Sequence, residues 1–286
     1  LPKATISAFR LNNRFLKKLA QDSDSKTFST EFAGQVYSRL GKTREIISQK
    51  KIWHLADELP LVLFYNSEQL GVMMITPSDI EDFCIGFSLN EGVVKSASQI
   101  SDIRLETVAD GMIANIIVPK EALTIARERK RTITAGSSCG ICGAQTLAAV
   151  LPKPQKNSAL ATEPNIALVA LKSIGEKQLQ NQKNFSTHAA ALADREGKII
   201  LLREDVGRHN ALDKLCGAMA QNQLTAQEGF LVLTSRLSLE MVQKATIAGF
   251  SQVATISAPT ALAVKIAKQA NLQIMTLSTD DLMVFS

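Results

Sequence analysis

Apolar residues switch between two periods along this chain, and the switches mark out its elements. Leu61-Val62-Leu63-Phe64-Tyr65 and Gly71-Val72-Met73-Met74-Ile75 flank Asn66-Ser67-Glu68-Gln69, the pattern of a β-hairpin. Thr76-Pro77-Ser78-Asp79 then predicts a helix start, with Thr76 as N-cap, Pro77 at the first helical position and an acid in the first turn. Ile80, Phe83, Cys84 and Phe87 follow at helical spacing, and Gly92 closes the helix. Cys84 lies on that apolar stripe and is assigned to the core, because free cysteine is among the most buried residue types.

Residues 100–118 read as two more strands turning at Asp110-Gly111, and Pro119 opens a helix ending in Arg127-Glu128-Arg129-Lys130-Arg131. Residues 152–165, with Pro152, Pro154 and Pro164, read as a surface connection. The final third alternates strands and helices. A hairpin turns at Asp194-Arg195-Glu196-Gly197, and a helix from about His209 carries Leu212, Leu215, Cys216 and Met219 on one face, which makes Cys216 a second core thiol. Strands at 230–234, 253–257 and 272–277 are separated by helices at 240–248 and 260–270, and a last strand at 283–286 follows Asp280-Asp281. Strand–helix–strand repetition predicts a three-layer α/β domain with a sheet that is parallel at least in part. Residues 1–50 are polar and basic and read as an irregular or partly helical arm. The expected division is this arm, a small α+β domain at 51–125, and a larger α/β domain at 126–286.

Composition narrows the class. The chain has 286 residues, 45% hydrophobic and 21% charged, enough for an ample core. A net charge of +5 favours anionic partners such as nucleotides or phosphorylated cofactors, and is too mild to imply nucleic-acid binding. No apolar run approaches the roughly 18 residues that would span a bilayer. The first residue is Leu1 rather than Met, which reads as a start inside a longer native chain. Four cysteines in this length do not make a disulfide framework, and a reducing cytoplasm fits them best.

Two of those cysteines carry the most chemistry. Cys139 and Cys142 stand in Gly136-Ser137-Ser138-Cys139-Gly140-Ile141-Cys142-Gly143, where three glycines and two serines present both sulfurs to a partner rather than to a core. Four readings compete: a zinc site completed by a histidine such as His188, a thioredoxin-like redox pair, a loop without chemistry, and a persulfide site with a second thiol to resolve it. The basic cluster 127–131 either supplies the positive field that favours a thiolate or complements its own helix dipole. The run Arg203-Glu204-Asp205-Val206-Gly207-Arg208-His209-Asn210-Ala211-Leu212-Asp213-Lys214 leads from strand into helix. It is either an anion site, with free helix N–H groups and a forked Arg208 donor, or a salt-bridged cap. Ser257-Ala258-Pro259-Thr260 offers the same choice between phosphate site and helix start. Ser235-Arg236-Leu237-Ser238-Leu239-Glu240 has the same strand-to-helix character.

Together these runs resemble the FdhD family of sulfur carriers that mature formate dehydrogenases. The resemblance rests on Met73-Met74-Ile75-Thr76-Pro77 through Glu91-Gly92, on Ser138-Cys139-Gly140-Ile141-Cys142-Gly143, on His188-Ala189-Ala190, on the run 203–214, on Glu240-Met241-Val242-Gln243-Lys244, and on Ser257-Ala258-Pro259-Thr260. It implies a cytidine-deaminase-like α/β domain preceded by a smaller one. It also implies a protein that takes persulfide sulfur from a cysteine desulfurase and passes it to the bis-molybdopterin guanine dinucleotide form of the molybdenum cofactor for formate dehydrogenase. Cys139 maps to the persulfide residue and Cys142 to the second thiol. Cofactor contacts map to Thr276, Leu277, Ser278, Thr279, Asp280 and Asp281, joined by Arg208, His209, Ser257 and Thr260. No permanently bound metal is implied, and members of the family can form homodimers. The chain departs from the family pattern in carrying Ser186-Thr187 before His188, Ser235 before Arg236, and two acids at 280–281 in a segment that is usually basic.

Overall fold

Three sheets organise the computed structural model, which describes residues 28–39, 46–134, 162–279 and 281–285. β1 (Ser29–Arg39) and β2 (Ile46–Ala56) form an antiparallel two-stranded ribbon. Within the segment 1–50 read from sequence as an irregular or partly helical arm, the described residues 29–39 and 46–50 are therefore strand. Their mixture of polar and apolar positions lacks clean alternation, because neither face of the ribbon is covered by a core.

The small sheet has the order β4-β3-β6-β5, from β3 (Leu59–Tyr65), β4 (Glu68–Ile75), β5 (Asp102–Val108) and β6 (Gly111–Ile117). The β3–β4 hairpin turns through Asn66 and Ser67, both at positive φ, as a two-residue turn matched to strand twist requires. Helix α1 (Ile80–Asn90) packs its Phe83, Cys84 and Phe87 into this core, with Cys84 fully buried. α1 does not begin where the sequence predicts. Its N-cap is Asp79 in the left-handed region, and Pro77 lies outside the helix. Thr76 is committed elsewhere, as described below. Helix α2 (Lys120–Thr134) follows β6, and Arg127 forms an exposed bidentate ion pair with Glu68.

The large sheet has the order β12-β11-β10-β9-β7-β8. It comprises β7 (His188–Asp194), β8 (Ile199–Asp205), β9 (Gly229–Leu233), β10 (Gln252–Thr255), β11 (Gln273–Ser278) and β12 (Asp281–Phe285). β9, β10 and β11 are parallel, and β7, β8 and β12 join antiparallel. One face is covered by α3 (Pro164–Lys177), whose Ala167, Ala170, Leu171 and Ile174 pack on Ala191, Val232 and Met275. A short helix α4 (Asn181–Asn184) follows. The other face is covered by α5 (Arg208–Gln221), α6 (Leu239–Ile247) and α7 (Ala261–Ala270). The result is the helix–sheet–helix layering expected of the larger α/β unit. Helix α3 is absent from the sequence reading, which placed Pro164 in a connection.

Two helices weld the sheets together. α1 and α5 cross so closely that a Cβ on Gly86 would sit 1.7 Å from the Asp213 carbonyl oxygen, and one on Gly217 would sit 1.8 Å from that of Asp82. Only glycine permits backbone to meet backbone at this distance. Arg203 Nε reaches across to Asp82 Oδ2 at 2.6 Å.

Candidate functional site

Because β7 runs against β9, its first residue shares a sheet edge with the C-terminal ends of the parallel strands. Register fixes this row: His188 opposes Asp205, Ala190 opposes Leu233, Leu233 opposes Thr255, and Thr255 opposes Thr276. Four connections leave from that edge: the turn into α5, the segment 234–238, the segment 256–260, and the turn into β12. In open α/β sheets this is where ligands collect.

The run 203–214 divides into structural and free groups. Asp205 is fully buried, with its Oδ2 2.6 Å from Lys214 Nζ, itself fully buried. The same carboxylate accepts from Thr76 N–H at 3.0 Å, Gly207 N–H at 2.8 Å and Asn210 Nδ2 at 3.0 Å. Thr76 answers with its other two groups: its Oγ1 accepts from Val206 N–H at 3.1 Å and its carbonyl from Lys214 Nζ at 2.9 Å. Glu204 accepts from Gln180 N–H, Asn181 N–H and Thr187 Oγ1. Asp213 takes Asn90 Nδ2 at 2.6 Å and Lys244 Nζ at 2.7 Å, and Lys244 also reaches Glu91. Most of the motif is thus the salt-bridged cap foreseen as one alternative, extended into a clamp between the two sheets.

Arg208 and His209 are what remains. Among the described residues, Arg208 Nε and His209 Nε2 are shielded from solvent without a hydrogen-bond partner. Both sit in the first turn of α5, where free N–H groups and the helix dipole favour negative charge. Burial, with help from Lys244 and Arg208 and against Glu240 and Glu91, pushes the His209 imidazole down to about 4. His188 is lowered too, first by burial and then by the Arg208 guanidinium, with Asp205 opposing. Both imidazoles are therefore neutral at pH 7 and can accept or donate one hydrogen bond to a ligand. Thr255 Oγ1, which the sequence reading passed over, is a third buried group without a partner. A lone strand threonine carries no pattern by which to find it.

Protonating His209 favours the unfolded state, where its affinity for the proton is ordinary. The unfolded chain binds more protons between pH 6.5 and about 4, so stability falls as pH falls through that window. Denaturant titrations at pH 7 and pH 5 are expected to show this loss in the wild type, and a smaller one in His209→Gln. Equal losses in the two proteins would place the proton elsewhere.

Ser257 and Thr276 come together as neighbours on the same edge. Ser257 Oγ donates to the Thr234 carbonyl at 3.1 Å, and Thr276 Oγ1 donates to the Ser257 carbonyl at 3.4 Å. Thr260 caps α7 by accepting from Ala263 N–H at 3.2 Å, and its own N–H donates to the Leu237 carbonyl. Leu277 is half-buried, and Ser278, Thr279 and Asp281 are exposed in the turn into β12. β8, which leads into Arg208 and His209, and β10, which leads into Ser257, are separated by β7 and β9 in the strand order. Arg208, His209, Ser257, Thr276, Leu277, Ser278 and Thr279 all follow or end strands at this one edge of the sheet. Cys139 and Cys142, like Asp280, lie outside the described residues. Cys84 and Cys216 are buried free thiols pushed up to about 12 by desolvation, far from the range of a nucleophile.

A three-layer α/β unit is clamped to a smaller sheet, and the sequence run that holds Cys139 and Cys142 falls between the two. The chain belongs to the FdhD/NarQ family, whose profile matches residues 56–286. It is 42% identical over 234 residues to the sulfur carrier protein FdhD of Xanthomonas oryzae pv. oryzae (strain MAFF 311018), covering 81% of this chain and 83% of that one. It is 38% identical over 224 residues to that of Bordetella parapertussis (strain 12822), covering 78% and 81%. A crystal structure of a putative formate dehydrogenase accessory protein from Desulfotalea psychrophila shares the fold, with a TM-score of 0.68 and 20% identity over 91% of this chain and 97% of that one.

Proposed function

We propose that this chain is a sulfur carrier that takes persulfide sulfur from a cysteine desulfurase in the cytoplasm and delivers it to a guanine-dinucleotide molybdenum cofactor bound for formate dehydrogenase. The observation that carries this reading is the family match over 56–286, which spans both the Cys139–Cys142 run and the sheet edge. The names of the relatives, sulfur carrier and formate dehydrogenase accessory protein, support the direction of transfer.

In this mechanism the Cys139 thiolate attacks the outer sulfur of the desulfurase persulfide. The donor S–S bond breaks, the donor cysteine leaves as thiolate, and Cys139 becomes the persulfide. Cys142 thiolate then attacks Cys139 Sγ and expels hydrosulfide toward the cofactor metal. The two cysteines are left as a disulfide that a cellular dithiol must reduce before the next round. Electrons balance without any other oxidant. Arg208, the neutral His209 and the α5 N-terminus hold phosphate and guanine groups of the cofactor, and Ser257, Thr276, Leu277, Ser278, Thr279 and Asp281 line the same edge beyond β9.

Mass spectrometry of the chain after incubation with a cysteine desulfurase and cysteine is expected to show one added sulfur on the peptide holding Cys139. Its absence there would remove the carrier reading. The cofactor half has a separate test. Guanosine diphosphate, standing in for half of the cofactor, is expected to bind in calorimetry, and Arg208→Ala to weaken it about tenfold or more, the worth of one charged hydrogen bond. A wild type that binds no guanine nucleotide would remove that half alone.

A further inference from the structure

The anion-favouring turn into α5 has a negative neighbour. α5 and α6 both start at the ligand edge of the large sheet, and they are joined one turn further in, where Lys244 Nζ bonds the two Asp213 carboxylate oxygens at 2.7 and 2.8 Å. Residues four apart lie on one face of a helix. His209 stands four positions before Asp213, and Glu240 stands four before Lys244, so that ion pair sets Glu240 beside His209 at the edge. The electrostatics agree, since the Glu240 carboxylate is among the charges that act on the His209 imidazole. Lys244 is already committed to Asp213 and Glu91. Glu240 is half-buried and, among the described residues, accepts one hydrogen bond, from Ser238 Oγ at 2.6 Å. A carboxylate has about four lone-pair sites, so this one can take further donors from a ligand.

A carboxylate repels phosphate, so a ligand that also meets Arg208 has to turn N–H donors toward Glu240. We propose that Glu240 is the base-reading residue of this site, its carboxylate accepting from guanine N1–H and the guanine 2-amino group, with phosphate left to Arg208. The inference rests on the cofactor reading above and adds a base preference to it. Guanine carries two adjacent N–H donors on one edge, which the two oxygens of a carboxylate match. Hypoxanthine lacks the amino group, and adenine presents an acceptor nitrogen where guanine presents N1–H. A site built to bond an N–H rejects the base that lacks it, because its own buried acceptor is then left unpaired. Asp281, the other described acid assigned to this edge, is exposed on the outermost strand, β12, where water weakens a charged hydrogen bond.

Calorimetry on the full chain with guanosine, inosine and adenosine diphosphates and with inorganic pyrophosphate tests this. The wild type is expected to bind guanosine diphosphate about tenfold or more tighter than inosine diphosphate, the worth of one charged hydrogen bond, and adenosine diphosphate more weakly still. In Glu240→Gln the guanine preference is expected to disappear, because the amide NH₂ sets a donor against a donor, while pyrophosphate binds as tightly as before or tighter. An acid in the first turn of α6 that only complements the helix dipole would leave base preference unmoved, so an unchanged preference in Glu240→Gln overturns the proposal. A wild type that binds the guanosine and inosine compounds equally overturns it without any variant having to fold. Loss of pyrophosphate binding in step with guanosine diphosphate would mark a structural role for Glu240 and overturns it as well. So does an Asp281→Asn protein that loses the preference in place of Glu240→Gln. Each of these results leaves the cofactor reading standing, whereas a wild type that binds neither guanosine diphosphate nor pyrophosphate removes both.

Discussion

Cys139→Ala is expected to abolish sulfur transfer while leaving the fold in place. The chemistry requires a sulfur nucleophile at that position, and the remaining candidates cannot replace it. Cys84 and Cys216 are buried, with their thiols held near 12, and neither faces the sheet edge. The Gly- and Ser-rich run around Cys139 reads from sequence as a loop, and a loop substitution costs about 0.5 kcal/mol or less, which moves the melting temperature of a chain this size by about 1–2 °C. The expected result is therefore an almost unchanged melt, no added sulfur by mass spectrometry, and formate dehydrogenase activity at background in cells relying on the variant. Cys142→Ala separates the two steps of the proposed cycle. It is expected to load sulfur normally and to retain it, because no thiolate remains to expel hydrosulfide. Full delivery by Cys139→Ala in a folded protein would sink the persulfide role, and normal release by Cys142→Ala would sink the resolving role alone.

The order of strands and helices in the large sheet was legible because alternating apolar runs and Gly or Pro punctuation survive in the sequence. Helix α3 was not, for a physical reason. It buries mainly Ala167 and Ala170 with Leu171 and Ile174, so its stripe is weakly apolar, and its first residue, Pro164, reads equally well as a loop. The start of α1 was misread because local capping rules favour Thr76, whereas the fold spends all three of its polar groups on residues some 130 positions away. The run 203–214 was visible as a motif, yet its division into clamp and ligand groups was not. Which of Asp205, Arg208, His209 and Lys214 face inward depends on α1 and β4 lying against them, and no local pattern records that.

Lys214→Met is expected to be the most damaging single change in the clamp. The side chain is buried without exposure and serves two masters: the Asp205 carboxylate at 2.6 Å and the Thr76 carbonyl at 2.9 Å. Burial disfavours its charged form and lowers its pKa, and Asp205 opposes that shift. Methionine matches the length but leaves Asp205 as an uncompensated charge, still committed to Thr76 N–H, Gly207 N–H and Asn210. Breaking a buried pair in this way costs about 3–5 kcal/mol, or roughly 6–20 °C in melting temperature. Lys214→Met combined with Asp205→Asn removes both charges and is expected to recover part of the loss. Recovery stays partial, because an amide NH₂ cannot accept from Thr76 N–H. The double-mutant cycle should therefore return a coupling above about 1 kcal/mol. The turn between β8 and α5 is held by the same carboxylate, so the single variant is also expected to lose guanosine diphosphate binding before it unfolds, as Arg208 and His209 drift from their places. A Lys214→Met protein that melts within a degree or two of the wild type would show that the pair contributes nothing net. The clamp would then have to rest on the glycine crossing of α1 and α5 together with the Arg203–Asp82 and Asn90–Asp213–Lys244 contacts.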